Sequence, residues 1–443
     1  MATSGWELKS IEELKAPIKG SIAIGPFGSR MKSDCYVPSG VPVIRGNNIG
    51  DTRVLVGDMV FITPKLADQL GNAIVHADDL VFPHRGAIGA IGIVPRDNID
   101  RYALSSSLMK LTCDRNQVDP LYLFYYFRSD DGQHELLKNA STVGTPGIGQ
   151  PLSSLRSIKV PIPPLAEQKV IVEALGALDD KIELNRRMNA TLEAMARALF
   201  QSWFVDFDPV RAKLDGGQPA GMDAATAELF PDTFQDSVVG PVPRGWEPAE
   251  LGQIADVVDC LHAKKPEKSD EGELYLQLNN IRDDGLIDIS DAFLVSQSDY
   301  QKWISRMEAK EGDCVITNVG RVGAVAQIPE GVKAALGRNM TGIRCVADFQ
   351  YPTFLIECLL SGSMREEIRM KMDTGTILDA LNVRSIPNLR FVRPTREIAS
   401  HFEKIVRPLR RRMERNIQES RTLITLRDTL LPKLLSGELS TTN

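Results

Sequence analysis

Asp79–Pro95 reads DLVFPHRGAIGAIGIVP, and Asp313–Pro329, which lies 234 residues further along the chain, reads DCVITNVGRVGAVAQIP. The two stretches share their first aspartate, two glycines and their last proline. Further matches follow in the same order in both halves: Gly5-Trp6-Glu7 with Gly245-Trp246-Glu247, Asn47-Asn48-Ile49 with Asn279-Asn280-Ile281, Ala103-Leu104 with Ala335-Leu336, Pro120 with Pro352, Gly144-Thr145 with Gly375-Thr376, and Pro164 with Pro394. A fixed order over this many positions indicates a tandem duplication.

Composition limits the class of protein. A chain of 443 residues with 43% hydrophobic and 25% charged residues is typical of a globular protein of two to four domains. The net charge of −6 argues against an autonomous nucleic-acid binder, since neutralising phosphates needs clustered Lys and Arg. A DNA-binding role therefore requires local basic surfaces or partners that supply the charge.

The chain has neither a long apolar run nor a basic segment followed by an apolar one at its beginning, so we expect a cytoplasmic protein without a membrane span. Its six cysteines form no Cys-x-x-Cys pair and indicate buried thiols rather than a zinc site or disulfides.

Each half begins with short Val- and Ile-rich runs separated by Gly, Pro, Asn and Asp, a pattern that predicts strands. Pro120–Arg128 and Pro352–Ser361 begin with proline and carry apolar residues at helical spacing, which predicts a helix against a mixed sheet. The predicted fold class is α+β, with two similar mixed α/β domains.

A long helix with a heptad pattern follows each globular region. Its predicted seam is Ile171, Leu178, Ile182, Asn185 and Leu192 in the first copy, and Phe402, Leu409, Met413, Asn416 and Leu423 in the second. So narrow an apolar face favours pairing of the two helices, over a length of roughly 60 Å at about 1.5 Å per residue, with the two asparagines setting the register. The alternative is that each helix packs separately on its own domain.

These patterns predict five segments. Globular domains span 1–163 and 245–394, and helices span 164–205 and 395–436. The segment 206–244, rich in Pro, Gly, Ala and acidic residues, is interpreted as a connector.

Motifs for catalysis are absent from the sequence. It contains no G-x-x-x-x-G-K-[ST] phosphate loop, no G-x-G-x-x-G fingerprint and no H-E-x-x-H metal motif. The repeated Asp79 and Asp313 form a carboxylate pair that suits a nuclease, but each precedes a strand, where Asp ordinarily caps a turn. We therefore predict no catalytic residue, no metal ligand and no cofactor bound by this chain.

Two similar units at a fixed separation suit the reading of two DNA half-sites. Asn47, Asn48, Asn279 and Asn280 are candidates for pairing with adenine, and Arg45, Arg85, Arg321 and Arg338 for pairing with guanine. Lys264, Lys265, Thr142, Thr145, Thr374 and Thr376 are candidates for phosphate contacts. The alternatives are turn asparagines and solvated or ion-paired arginines.

Three segments carry a resemblance to a known family: Ile162–Gln168 (IPPLAEQ) enters the first helix, Leu199–Val210 (LFQSWFVDFDPV) ends it, and Leu430–Gly437 (LLPKLLSG) ends the second. With these segments the chain resembles, over essentially its whole length, the specificity subunits of type I restriction-modification systems. The second half departs from the pattern, because Arg393–Ile398 lacks the proline pair and the glutamine.

The resemblance implies two target-recognition domains joined by two antiparallel coiled-coil helices in a pseudo-twofold arrangement. The subunit would direct partner subunits to a bipartite, asymmetric site on double-stranded DNA, with the helices setting the spacer. Catalysis would belong to two modification subunits, which methylate adenine with S-adenosylmethionine, and to restriction subunits, which use ATP with Mg²⁺ to translocate and cleave DNA.

Three alternatives remain open at this point. A stand-alone nuclease or methylase is disfavoured by the missing motifs. An orphan specificity subunit that serves methylation only, or a coiled-coil scaffold without DNA selectivity, is compatible with the same sequence.

Overall fold

The computed structural model describes residues 5–26, 30–50, 52–141, 144–373 and 379–439. The chain divides into two compact units, unit 1 (Met1–Glu183 with Thr422–Asn443) and unit 2 (Leu184–Arg421). Both boundaries fall inside long helices, so each unit contains a part of both helices.

Unit 1 is a mixed α/β structure. Its strands are β1 (Glu7–Ser10), β2 (Ile22–Ile24), β3 (Tyr36–Val37), β4 (Val41–Ile44), β5 (Val60–Ile62), β6 (Ile74–Val75), β7 (Leu80–Pro83), β8 (Gly92–Ile93), β9 (Tyr102–Leu104), β10 (Leu108–Leu111), β11 (Ala140–Ser141), β12 (Gly147–Ile148) and β13 (Lys159–Ile162). Its helices are α1 (Ile11–Leu14), α2 (Pro64–Leu70), α3 (Pro120–Arg128), α4 (Asp130–Leu137), α5 (Pro151–Ser157) and the first part of α6 (Leu165–Phe204).

Two sheets organise unit 1. One has the strand order β2-β10-β7-β8 and is antiparallel, and the other has the order β3-β5-β4-β9-β6. In the second sheet β4 and β9 run parallel, with Val43 opposite Ala103. All four residues of β4 are buried, as are all four of β7, which explains why these strands are apolar throughout rather than alternating.

Unit 2 repeats this structure. Its strands are β14 (Phe234–Gln235), β15 (Val242–Pro243), β16 (Glu247–Glu250), β17 (Ala255–Asp259), β18 (Glu273–Leu276), β19 (Leu294–Val295), β20 (Glu308–Lys310), β21 (Cys314–Thr317), β22 (Val325–Gln327), β23 (Lys333–Leu336), β24 (Met340–Cys345), β25 (Met372–Asp373), β26 (Ala380–Leu381) and β27 (Arg390–Arg393). Its helices are α7 (Asp208–Leu214), α8 (Ala224–Leu229), α9 (Gln297–Trp303), α10 (Pro352–Leu360), α11 (Gly362–Lys371) and the first part of α12 (Arg396–Leu435).

The sheet topology of unit 2 matches that of unit 1. The orders β17-β24-β21-β22 and β19-β18-β23-β20 correspond to β2-β10-β7-β8 and β5-β4-β9-β6. The parallel pair recurs with Tyr275 opposite Ala335, both 232 residues after Val43 and Ala103. The predicted α+β class and the tandem repeat of one mixed α/β unit are therefore confirmed.

The long helices run antiparallel beside each other. In unit 2 the side-chain amide of Asn185 donates to Ser420 Oγ at 3.3 Å, and that of Asn189 donates to the Met413 carbonyl at 3.1 Å. Of the predicted seam residues, Ile171, Ile182, Asn185, Phe402, Met413 and Asn416 are buried, and Leu178, Leu192, Leu409 and Leu423 are half-buried. The predicted pairing of the two helices is therefore confirmed over the alternative of separate packing, although each helix also contributes residues to a domain core.

Helix ends contribute to the domain cores. In unit 2, Phe200 and Phe204 of α6 pack against Phe354 of α10 and Phe402 of α12, with ring centroids 5.0 to 6.4 Å apart. In unit 1 the C-terminal leucines of α12, Leu431, Leu434 and Leu435, belong to the main core. This placement explains the two apolar segments that end the long helices in the sequence.

The two long helices begin differently, as the difference between the sequences Ile162–Gln168 and Arg393–Ile398 indicates. In unit 1 the Gln168 side chain is fully buried, accepts from the Asp119 backbone at 2.8 Å, and donates to the Gln117 and Pro163 carbonyls at 3.1 and 2.9 Å. In unit 2 that position is Ala399. Glu403, one turn later, accepts instead from the backbone N–H groups of Thr353 and Phe354 at the start of α10, at 2.8 and 3.2 Å.

The segment 206–244 is folded onto unit 2 rather than extended. Phe230 is buried with its ring centroid 5.1 Å from that of Trp203. The Thr226 hydroxyl lies 2.7 Å from His401 Nε2. The segment joins two parts of the chain, but it also contributes to the core.

Candidate nucleic-acid interface

Polar loops of unit 1 meet where several strands end. Because β4 and β9 are parallel, their carboxyl ends lie at one edge, and the Ser105 N–H donates to the Ile44 carbonyl there at 2.9 Å. The antiparallel pair β7 and β10 brings the chain after β7 to the same place, since the His84 N–H donates to the Ser107 carbonyl at 2.9 Å. Arg45 and Arg85 follow directly in these loops.

The hairpin of β11 and β12 extends this edge. The Ile148 N–H donates to the His84 carbonyl and the Gly86 N–H to the Pro146 carbonyl, both at 2.9 Å. These contacts place the exposed Thr145 beside the loop of Arg85. Thr142 lies outside the described residues. We call the group Arg45, His84, Arg85, Ser105–Ser107 and Thr145 the unit 1 edge.

Unit 2 carries the equivalent edge. Gln277 follows β18, Arg338 and Asn339 follow β23, and the Asn318 N–H after β21 donates to the Asn339 carbonyl at 2.8 Å. The Leu381 N–H donates to the Asn318 carbonyl at 2.9 Å. We call the group Lys264, Lys265, Gln277, Asn318, Arg338 and Asn339 the unit 2 edge. Thr374 and Thr376 lie outside the described residues.

Two of the four arginines predicted to pair with guanine have guanidinium groups without a hydrogen bond or an ion pair to any described residue. They are Arg85 on the unit 1 edge and Arg338 on the unit 2 edge, and both are exposed. A free guanidinium can approach the O6 and N7 acceptors of guanine without first breaking an internal contact. These two residues therefore suit base reading better than the other predicted arginines.

The other predicted arginines are engaged. Arg45 donates to the Asp58 carbonyl at 2.7 Å, and Arg321 donates to the Ile281 carbonyl at 2.5 Å and pairs with Asp283. Lys265 donates to Gln277 Oε1 at 2.6 Å and lies 4.1 Å from the centre of the Phe293 ring, whereas Lys264 is exposed. Of this set, Lys264 and Lys265 lie on the unit 2 edge.

In each predicted asparagine pair one residue is buried and its neighbour is exposed. The amide nitrogens of Asn48 and Asn280 donate to the Val56 and Asp288 carbonyls at 2.8 and 2.6 Å, and their oxygens accept from the backbone of Arg45 and Gln277 at 3.0 and 2.7 Å. Both residues are buried, so base contacts by them would require these bonds to break. The turn interpretation accounts for Asn48 and Asn280, and Asn47 and Asn279 are exposed.

Sequence reasoning missed His84 and Asn318, which occupy equivalent positions after β7 and β21. His84 Nε2 lies 3.1 Å from the Ser106 carbonyl, and burial lowers the pKa of its imidazole, so the ring stays neutral near pH 7. Asn318 donates to the Leu381 carbonyl at 3.1 Å and accepts from the Thr341 hydroxyl at 2.9 Å. Both fix the loops of their edge. The signal in the sequence that could have found them is that a polar residue follows the repeated strand in both halves.

The repeated aspartates are structural. Asp79 and Asp313 accept from the backbone of His76 and Lys310 at 3.0 and 2.8 Å, which caps the turn before each strand. Asp313 also pairs with Arg344 at 2.6 Å, and Lys110 lies 3.7 Å from Asp79 at the equivalent place in unit 1. A buried carboxylate paired in this way is not free to act as an acid or a base.

One group of side chains in the described ranges has metal-ligand composition. The ligand atoms of Asp259, Cys260 and His262 lie within 4.8 Å of one another. However, Asp259 pairs with His262 at 2.7 Å and lies 3.5 Å from the Arg306 guanidinium, and burial raises the pKa of the Cys260 thiol. A neighbouring cation and a protonated thiol both disfavour a metal ion, so we interpret the group as an ion-paired turn.

The residues 5–194 match the profile of the type I restriction modification DNA specificity domain. The relatives include the HindI specificity subunit of Haemophilus influenzae, 28% identical with 84% of this chain and 89% of the relative covered. They also include the MjaIX specificity subunit of Methanocaldococcus jannaschii, 24% identical with 98% and 93% covered. Over most of its length the chain is therefore similar to type I restriction-modification specificity subunits.

A solved structure shares the fold of this chain. The crystal structure of a type I restriction-modification system S subunit from M. genitalium covers 98% of this chain and 96% of its own length, with a TM-score of 0.60 and 16% identity. None of the helices in the described ranges is long and apolar enough to cross a bilayer. The similarity to specificity subunits supports a role in DNA sequence recognition.

Proposed function

We propose that each unit reads one half of a bipartite, asymmetric site on double-stranded DNA and that the chain itself carries out no catalysis. The observation that supports this is the repeated edge, which presents one free guanidinium in each unit, Arg85 and Arg338. The surrounding loops differ between the units, with Ser105–Ser107 in one and Gly337–Asn339 in the other. Different side chains on one scaffold suit two different half-sites.

The two long helices are proposed to set the spacer between the half-sites and to dock two modification subunits. Their buried asparagines support a fixed register, because Asn416 donates to Asn189 Oδ1 at 2.7 Å across the helix pair. In the cytoplasm, the modification subunits would methylate adenine with S-adenosylmethionine, and restriction subunits would use ATP with Mg²⁺ to cleave. These partners would also supply phosphate-neutralising charge that this acidic chain lacks.

The test is a map of methylated adenines across the genome of a host that expresses this chain with its neighbouring modification subunit. A host with the modification subunit alone is the control. A bipartite methylated motif that depends on this chain is the expected result. If both proteins are soluble and associated but no motif appears, the recognition role is wrong and a scaffold without DNA selectivity replaces it.

Single substitutions show which unit reads which half of the methylated motif. Arg85→Ala is expected to relax one half of the motif and Arg338→Ala the other, by about 1–3 kcal/mol per lost base contact. Arg244→Ala, an exposed arginine outside both edges, is the matched control and should leave the motif unchanged. Loss of both halves in either variant would contradict independent reading by the two units.

A further inference from the structure

An arginine-lined cleft lies beside the unit 2 edge. A cavity of about 540 Å³ is lined by Arg282, Arg321, Arg365 and Arg369, with Leu360 and Ile368 among its apolar lining residues. An adjoining space of about 730 Å³ shares the first three of these arginines and adds Arg197 and Glu193. Arg321 belongs to the same turn as Asn318, so the cleft is continuous with the edge. We call this feature the arginine cleft.

Unit 1 does not have the arginines of this cleft. The equivalent of Arg365 is Gln133, since the backbone N–H of each donates to the carbonyl of the serine that caps its helix, Ser361 or Ser129. The Gln133 side chain donates to the Gly89 carbonyl at 2.9 Å. The equivalents of Arg282, Arg321 and Arg369 by the repeat are Gly50, Ala87 and Leu137. In unit 1 a glutamine thus bridges a loop where unit 2 has a cavity lined by guanidinium groups.

The charges of the cleft are incompletely balanced. Arg282 pairs with Asp284 at 2.8 Å, Arg321 with Asp283, and Arg197 with Glu193. Arg369 pairs with Glu366 at 2.5 Å. Arg365 has no ion-pair or hydrogen-bond partner for its guanidinium among the described residues. The pair of Arg321 is weak because the Asp283 side chain is 96% exposed and solvent screens it. Four of the five lining arginines thus have a carboxylate partner and Arg365 has none among the described residues, which leaves room for a further anion.

We propose that the arginine cleft holds a phosphate group of the DNA backbone and that this contact occurs in unit 2 only. The inference rests on the proposed DNA-reading function and adds a sequence-independent contact to it. Arginine matches phosphate oxygens with two parallel N–H donors, and an open cleft next to a base-reading edge lies where a backbone would pass. The second half-site would therefore be held more tightly by charge than the first.

The test uses the full chain and a fluorescent duplex of random sequence, with the dissociation constant measured by anisotropy between 50 and 200 mM salt. Arg365→Gln introduces glutamine, which is the residue at the equivalent position of unit 1, Gln133. Loss of one phosphate contact lowers the slope of log K against log salt by about 0.9, so the affinity ratio of wild type to variant should shrink by about 3.5-fold over this range. Arg365→Lys keeps the charge and should keep the slope.

Arg244→Gln is the control for a general loss of charge, and thermal melting followed by circular dichroism checks that each variant is folded. An Arg365→Gln slope equal to that of the control overturns the inference. Titration with inorganic phosphate and with a mononucleotide distinguishes the source of the anion. Tight, Arg365-dependent binding of either small anion with an unchanged DNA slope would overturn the assignment to the DNA backbone.

Failure of the cleft assignment can be distinguished from failure of the proposed recognition function. If methylation mapping shows a bipartite motif but the Arg365→Gln slope is unchanged, the cleft assignment alone fails. If no motif depends on the chain, the recognition role fails whatever the cleft binds.

Discussion

A buried ion pair fastens α12 to the second domain, and its disruption gives the sharpest test of the packing in unit 2. Arg410 Nη1 lies 2.8 Å from Glu357 Oε1 of α10, and its Nη2 donates to the Gly285 carbonyl at 2.8 Å. The two side chains are 3% and 4% exposed, so solvent does not screen them. Arg410 Nε has no hydrogen-bond partner in the structure.

Glu357→Gln keeps an oxygen acceptor at nearly the same place but removes the carboxylate that pairs with the buried guanidinium. Removing one partner of such a pair costs about 3–5 kcal/mol of unfolding free energy, which is a large part of the 5–15 kcal/mol typical of a domain. The double variant Arg410→Met with Glu357→Leu removes both charges and fills the space with apolar atoms. It is expected to be far less destabilised than Glu357→Gln.

Urea unfolding followed by tryptophan fluorescence measures this difference. Three of the four tryptophans, Trp203, Trp246 and Trp303, belong to unit 2, so a Trp6→Phe background reports on that unit. With a slope of about 1–3 kcal/mol per molar urea, Glu357→Gln should lower the midpoint by about 1 M or more.

The matched control for this experiment is Glu330→Gln, because Glu330 pairs with Arg411 at 3.2 Å but is 53% exposed. It should shift the midpoint far less, since exposed pairs contribute about 0–1 kcal/mol. A Glu357→Gln midpoint equal to that of the control, or a double variant as unstable as the single one, would refute the reasoning.

Two further changes are expected to act on unit 1. Gln168→Ala leaves the Asp119 N–H and the Gln117 and Pro163 carbonyls without their partner, so unit 1 should lose about 2 kcal/mol or more in urea unfolding. The control Gln69→Ala, at an exposed position of unit 1, should lose almost nothing, and equal losses would show that the buried amide is not needed. Burial lowers the pKa of His84 below the ordinary value of 6.5. The unfolded chain therefore takes up a proton more readily, so the stability that neutral His84 contributes is present above pH 6.5 and is lost as the pH falls through that value toward the folded pKa. His84→Gln should flatten this part of the stability curve between pH 7 and pH 5, and a variant with the same slope as the wild type would rule the histidine out as its cause.

Much of the architecture follows from local pattern. The repeat of Asp79–Pro95 at Asp313–Pro329 predicts two units of one topology, and the heptads predict helices that the structure places at Leu165–Phe204 and Arg396–Leu435. The asparagines at equivalent seam positions also stand out in the sequence, because a polar residue interrupts an otherwise apolar repeat. Such signals survive in a single sequence because each depends on neighbours within a few turns or strands.

Which polar residues face inward was decided by the tertiary structure. Asn48 and its neighbour Asn47 are indistinguishable as letters, yet only Asn48 meets the carbonyl of Val56 and is buried. Arg410 lies within a run of arginines typical of a solvated face, but the chain folds so that Glu357, 53 residues earlier, meets it in the core. The sequence by itself determined the duplicated α+β units, through collinear matches between its two halves, and the paired helices, through their heptads. The free guanidiniums, the arginine cleft and the buried pairs depend on residues far apart in the chain, and only the folded packing brings these together.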